Sequence, residues 1–139
     1  MAELPRVRTQ VQVMFFDTDC GGVVHNIAYL RFIEIARTLL AEQLGLRLGD
    51  MAGTQQFPVV VRTEIDYRRA AKLGDQLTIE GWLDRLDRVR FWCAFRIVQS
   101  DLLIAECRQM LALIQMPSAK LLPLPESWDQ YRPALSDSH

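Results

Sequence analysis

Residues 7–45 read VRTQVQVMFFDTDCGGVVHNIAYLRFIEIARTLLAEQLG, and two periods meet inside them. Val7, Thr9, Val11, Val13 and Phe15 alternate with Arg8, Gln10, Gln12 and Met14, the pattern of a half-buried strand over residues 7–15. Beyond residue 26 the period changes. Tyr29, Phe32, Ile33, Ala36, Leu39, Leu40 and Leu44 recur at helical spacing, with Asn26 as the expected N-cap and Gly45 as terminator. The helix should run about 18 residues, or about 27 Å. Leu30 and Ile35 lie off its main stripe and leave Arg31, Glu34, Thr38 and Glu42 as a narrow polar face, so the rest of the chain must wrap it.

Alternating runs near 57–68, 76–86, 89–99 and 102–115 supply that wrapping, separated by the turn signals LGD, LDR and SD. Short connections favour antiparallel neighbours in chain order. The expectation is an α+β fold in which one long central helix is wrapped by a five-stranded antiparallel sheet. Residues 1–115 form the domain. Residues 116–139 are a proline-rich tail packed on it or extending from it, where Pro117, Pro123, Pro125 and Pro133 argue against sheet pairing. One short helical turn is expected at ESWDQY, with disorder in the last few residues.

The length of 139 residues suits one core rather than two. Sixteen basic residues against seventeen acidic ones give a net charge of -1, so neither nucleic acid nor an acidic membrane is an expected partner. Cys20, Cys93 and Cys107 are widely spaced and contain no CxxC pair, which argues against a disulfide framework and a structural zinc site. MAELPRVRTQ lacks the apolar run of a signal peptide, and no stretch has the roughly 20 uncharged apolar residues of a membrane span. A cytoplasmic location is expected.

Between the strand and the helix lies FFDTDCGGVVHN, residues 15–26. His25 and the terminal His139 are the only histidines, so a Ser-His-Asp or Cys-His site would have to use His25. Asp17, Asp19, Cys20 and His25 match no common ligand spacing, so no metal is expected, and no glycine-rich nucleotide motif is present. What remains is a carboxylate-bearing glycine turn leading into a helix N-terminus. Such an end carries unpaired N–H groups and partial positive charge, suited to an oxygen that becomes anionic. Gly21 and Gly22 let a carbonyl approach the backbone, and an acid just upstream can attack that carbonyl or activate water. Thioester hydrolysis fits, because a thiolate leaves readily. Asp19, nearer the glycines, is the candidate for the chemistry, and Asp17 for ordering the turn. The alternative for both is ordinary turn and cap chemistry. Cys20 suits a small packed residue, and Glu34 a solvated or paired carboxylate. Arg68, Arg69 and Lys72, and Arg85, Arg88 and Arg90, form two basic groups beside turns, each able to meet phosphate or to be solvated.

The stretch QVMFFDTDCGGVVHNIAYLRFIEIART resembles the signature of the 4-hydroxybenzoyl-CoA thioesterase family of hot-dog fold acyl-CoA hydrolases. Gln12, Val13, Thr18, Asp19, Gly22, Val23, Val24 and His25 carry the resemblance, followed by Tyr29, Phe32, Glu34 and Arg37. It implies a hot-dog fold, an acyl-CoA substrate with no separate cofactor, and homotetramers built from hot-dog dimers with the acyl pocket between subunits. It places the catalytic carboxylate on Asp19, the carbonyl-polarising helix end at His25 and Asn26, and coenzyme A contacts near Arg88 and Arg90. The pair His25-Asn26 departs from the Tyr-His or aromatic pair common in relatives. Two other readings are a hot-dog hydratase or dehydratase using His25 with an acid such as Glu34, and a non-catalytic acyl-binding protein.

Overall fold

The computed structural model describes residues 3–137. Strand β1 (Arg6–Gln12) leads through a 3₁₀ turn (Phe15–Asp17) to helix α1 (Asn26–Gln43), then to a short helix α2 (Leu48–Thr54). Strands β2 (Gln56–Tyr67), β3 (Gln76–Leu86), β4 (Arg90–Gln99) and β5 (Leu102–Gln115) follow. The chain continues through β6 (Lys120–Leu122), a 3₁₀ segment (Glu126–Tyr131) and α3 (Arg132–Asp137). The sheet is antiparallel in the order β1-β3-β4-β5-β2, with β6 added beside β5, and α1 lies across it. This is the α+β hot-dog arrangement, a long helix held by a curled antiparallel sheet.

α1 forms where expected and has 18 residues. Gly45, at φ +87°, takes the left-handed turn that stops it. Its buried face is Ala28, Tyr29, Phe32, Ile33, Ala36 and Leu40. These pack on Leu77, Ile79 and Leu83 of β3, Phe91, Phe95 and Ile97 of β4, and Leu111 of β5 in one continuous core.

Four expectations are corrected. β1 ends at Gln12, and Phe15 stands in the 3₁₀ turn with its ring 81 % exposed, because the chain must leave the strand to begin the site turn. β2 does not pair with its chain neighbour β3. It crosses to the far edge and pairs with β5, from Gln56↔Gln115 to Tyr67↔Ala105. The helix is not wrapped all round: Ile27, Leu30 and Leu39 remain exposed, on flanks that the sheet of one chain does not reach.

The proline-rich segment also does more than expected. Lys120–Leu122 lies between its prolines and pairs with β5, making a six-stranded sheet. Trp128 is buried, stacks edge-on with Phe91 at 5.0 Å, and donates its indole N–H to the Leu44 carbonyl at 2.9 Å, covering the C-terminal end of α1. Leu135 is also buried. Of the last few residues, Ser138 and His139 lie outside the described ones.

Candidate active site

Residues 17–25 close into a small hairpin. His25 N–H donates to the Asp17 carbonyl at 3.0 Å, Thr18 bridges Val24, and Asp19 N–H donates to the Val23 carbonyl at 3.0 Å. The turn at its tip is closed by Gly22 N–H donating to the Asp19 carbonyl at 3.0 Å. Gly22 sits at φ +77°, where a side chain would be strained. The sheet side holds this hairpin too, since Val24 N–H donates to the Ala71 carbonyl, Leu73 N–H donates to the Gly22 carbonyl, and Val23 bridges Lys72.

Asp17 is the anchor. It is 1 % exposed, and its Oδ1 accepts from Arg31 Nη2 at 2.6 Å and Nε at 3.1 Å, while Oδ2 accepts the Met14 N–H at 2.9 Å. The Arg31 guanidinium also lies over the rings of Phe16 and Phe32, at 5.1 and 5.0 Å. Asp19, two residues on, is exposed; among the described residues its carboxylate accepts only the Gly21 N–H, at 2.8 Å on Oδ1. The two carboxylates therefore do not share a face, as a continued strand would have required.

The helix N-cap is His25 rather than Asn26. Its Nδ1 accepts the Ala28 N–H at 3.1 Å, and Nε2 lies 3.3 Å from the Phe16 carbonyl, which places the ring proton on Nε2 as a donor. Asn26 becomes the first helical residue. With Ala28 N–H taken by His25, the N–H groups of Asn26 and Ile27 have no partner among the described residues. They face out from the positive end of an 18-residue helix dipole. Tyr67, at the end of β2, donates its hydroxyl to the Asn26 carbonyl at 3.3 Å and packs on Tyr29 with ring centres 5.3 Å apart.

Residues 13–131 match the family described as the thioesterase-like superfamily. The chain belongs to that superfamily. It is 32 % identical over 117 residues to the acyl-CoA thioesterase YbgC of Haemophilus influenzae, covering 84 % of this chain and 86 % of that protein. It is 31 % identical over 121 residues to the 1,4-dihydroxy-2-naphthoyl-CoA hydrolase of a Synechocystis strain, covering 84 % and 87 %. Among solved structures, a probable thioesterase from Bartonella henselae superposes with a TM-score of 0.80 at 29 % identity, covering 86 % of this chain and 99 % of that one. These relatives are thioester hydrolases by name, in agreement with the enzyme class expected from the sequence.

Within this thioesterase-like chain the two basic groups are separated. Lys72 borders the hairpin directly through its bridge to Val23. Arg88 and Arg90 lie at the β3–β4 turn, whereas the hairpin joins the sheet where Gln12 pairs Gln76 at the opposite end of β3. Ten residue-to-residue steps separate those ends, about 30 Å, so one chain does not bring these arginines to Asp19. Arg85 and Arg68 are paired with Asp87 and Glu106. Cys93 and Cys107 are buried, and burial pushes both thiols up to about 12 even beside Arg37, so neither is a ready nucleophile. Cys20 is exposed at the hairpin tip rather than packed. Sequence reasoning missed Arg31 and Tyr67. An arginine at the helix N-terminal end, where the dipole disfavours a cation, signals a carboxylate partner, but nothing local marks Tyr67.

Proposed function

We propose that this protein is an acyl-CoA thioesterase of the 4-hydroxybenzoyl-CoA thioesterase type. The carrying observation is the exposed Asp19 carboxylate on a locked hairpin that runs directly into a helix N-terminus with two unpartnered N–H groups. A thioester carbonyl set on the Asn26 and Ile27 amides is polarised, and the tetrahedral oxyanion is stabilised by the same donors and the helix dipole. Asp19 attacks the carbonyl carbon or takes a proton from the attacking water. The carbon–sulfur bond then breaks, the thiolate leaves and is protonated, and water supplies the oxygen of the free acid. His25 acts through the backbone, by holding Ala28 so that Asn26 and Ile27 remain free.

The hydratase reading needs His25 as a base, and its geometry disfavours that. The Nδ1 lone pair is committed to the helix cap and Nε2 carries the proton. Glu34 instead lies 3.6 Å from Arg37 on the helix flank.

The same reading includes assembly. β2 leaves a free sheet edge with Val60 and Val61 exposed, and Ile27, Leu30 and Tyr67 form an apolar margin near it. Two copies joined across β2 and paired again into a homotetramer would cover it. Lys72 of one copy and Arg88 and Arg90 of another then supply the cations for the coenzyme A phosphates. A cytoplasmic, reducing location suits three free thiols. No described helix is long and apolar enough to cross a membrane.

Free-thiol release from a panel of acyl-CoA substrates tests the reaction; absence of turnover across the panel removes it. Lys72→Ala and the Arg88→Ala/Arg90→Ala pair should raise KM for acyl-CoA more than for the truncated pantetheine thioester. Equal effects on both would take these residues away from the phosphates. Light scattering showing only monomer at micromolar concentration would remove the shared assembly.

A further inference from the structure

Away from Asp19, a cavity of about 170 Å³ opens between the C-terminal half of α1, the short helix α2 and the start of β2. Ala41 and Leu44 form one wall, Met51 and Phe57 another, and Phe91 and Leu111 the floor. Its polar end is Glu34, Arg37 and Thr38. That end is braced. Arg37 Nη1 donates to Gln109 Oε1 at 2.9 Å and its Nη2 lies 3.6 Å from Glu34, while the buried Gln109 donates in turn to the Thr63 hydroxyl at 3.2 Å. With the Arg37 guanidinium held by Gln109 and Glu34 turned largely to solvent, the walls beyond that rim are apolar and favour an apolar occupant.

Reach decides which carbonyl this cavity serves. Glu34 is eight residues beyond Asn26, about 12 Å along the helix axis, so a compact acyl group held at its own chain's Asn26 would stop short. α1 and β2 run in opposite directions, however: Tyr67 at the end of β2 touches Asn26, and Phe57 at its start lines the cavity beside Leu44. A two-fold axis across the free edge of β2 sets the start of one β2 beside the end of the other. The cavity of one copy then opens next to the helix N-terminus and Asp19 of the second.

Resting on the thioesterase reading above, we propose that this cavity is the acyl pocket and that it selects a compact apolar acyl group, one ring or about six carbons. Cavities of roughly 150 Å³ with aliphatic and aromatic walls take up benzene, and this one is of that size. Ala41 and Met51 set its limits: a larger branched side chain at Ala41 takes up about half of it, and truncation at Met51 lengthens it.

The experiment measures kcat/KM for acetyl-, hexanoyl-, benzoyl- and lauroyl-CoA, and calorimetric binding of the non-hydrolysable S-hexyl and S-benzyl thioethers of coenzyme A. Wild type, Ala41→Leu and Met51→Ala are compared. Leucine preserves helix propensity at position 41, and urea midpoints check that each variant folds. The expected result is a wild-type preference for hexanoyl- and benzoyl-CoA, which Ala41→Leu reduces relative to acetyl-CoA by about tenfold or more. Met51→Ala should shift the preference toward lauroyl-CoA. Thioether binding that follows the same pattern without any turnover keeps the pocket and overturns the thioesterase reading. Turnover whose acyl preference ignores both variants overturns the pocket and keeps the enzyme. Neither binding nor turnover overturns both.

Discussion

Asp17 and Asp19 are two residues apart in one hairpin, yet their surroundings are opposite. Asp17, at the base, is sealed from solvent and its two oxygens accept from Arg31 and Met14. Asp19, at the tip, is open and holds one backbone contact, to Gly21. A carboxylate whose lone pairs are filled is fixed and unreactive; one with an oxygen left free can attack or accept a proton. Within a single turn, then, one carboxylate is tied into the fold and the other is left open to solvent, and on the proposed mechanism the first orients the second. Arg31 extends the base into α1, so the helix N-terminus and the hairpin that bears Asp19 are tied to one another.

The largest expected effect breaks the tip alone. Asp19→Asn removes the charge and keeps the shape, so kcat should fall by about 10² or more with KM and urea midpoint nearly unchanged. A fully active Asp19→Asn enzyme would assign the chemistry elsewhere. The base should respond in the other way. Asp17→Asn leaves the guanidinium of Arg31 without its counter-charge and should cost about 2 kcal/mol of stability by urea titration; an unchanged midpoint would show that the anchor is not needed.

His25→Ala sharpens the same contrast at the helix cap. Loss of the side-chain acceptor should cost about 1 kcal/mol, with His25→Asn restoring most of it. A folded His25→Ala protein without turnover would instead return a chemical role to that ring. The smallest effects concern the thiols. Cys20 should react with an aromatic disulfide reagent in the native protein, and Cys93 and Cys107 only on unfolding. Their folded pKa values, near 12 against 9.0 for a free thiol, also give a sign for pH: stability from these groups is full below pH 9. It falls as pH rises from 9 toward 12, because there the unfolded chain releases protons that the fold retains. A shallower alkaline fall of the midpoint in Cys93→Ala/Cys107→Ala than in the parent would confirm the source; equal slopes would remove it.

Much of this was legible because local pattern and final position agree. The change from alternation to helical spacing around FFDTDCGGVVHN put a turn and a helix where they are found, and the four later strands fall within a residue or two of their sequence limits. What was not legible depends on partners distant in the chain. Alternation at 57–68 marks a strand but says nothing of β5 as its neighbour. Asn26 is a good N-cap residue by type, yet His25 takes the place because its backbone N–H is already tied to Asp17 across the hairpin. The prolines at 117, 123, 125 and 133 correctly interrupt the sheet, but they leave room for Lys120–Leu122 to pair and for Trp128 to reach Leu44. The length of β3 sets Arg88 and Arg90 far from Asp19 within one chain, a separation that residue order alone does not reveal.

The pairing of β2 with β5 has a consequence for biosynthesis. Tyr67 must wait for Ala105, and Gln56 for Gln115, so both edges of β2 are open while the intervening strands are made. At roughly 5–20 residues per second that interval lasts a few seconds. The run Val59-Val60-Val61 is then the segment of the nascent chain most apt to pair with a neighbouring chain. High contact order makes closure of the sheet slow as well. Expression temperature and the supply of chaperones should therefore affect the yield of this protein through β2 rather than through the hairpin that bears Asp17 and Asp19.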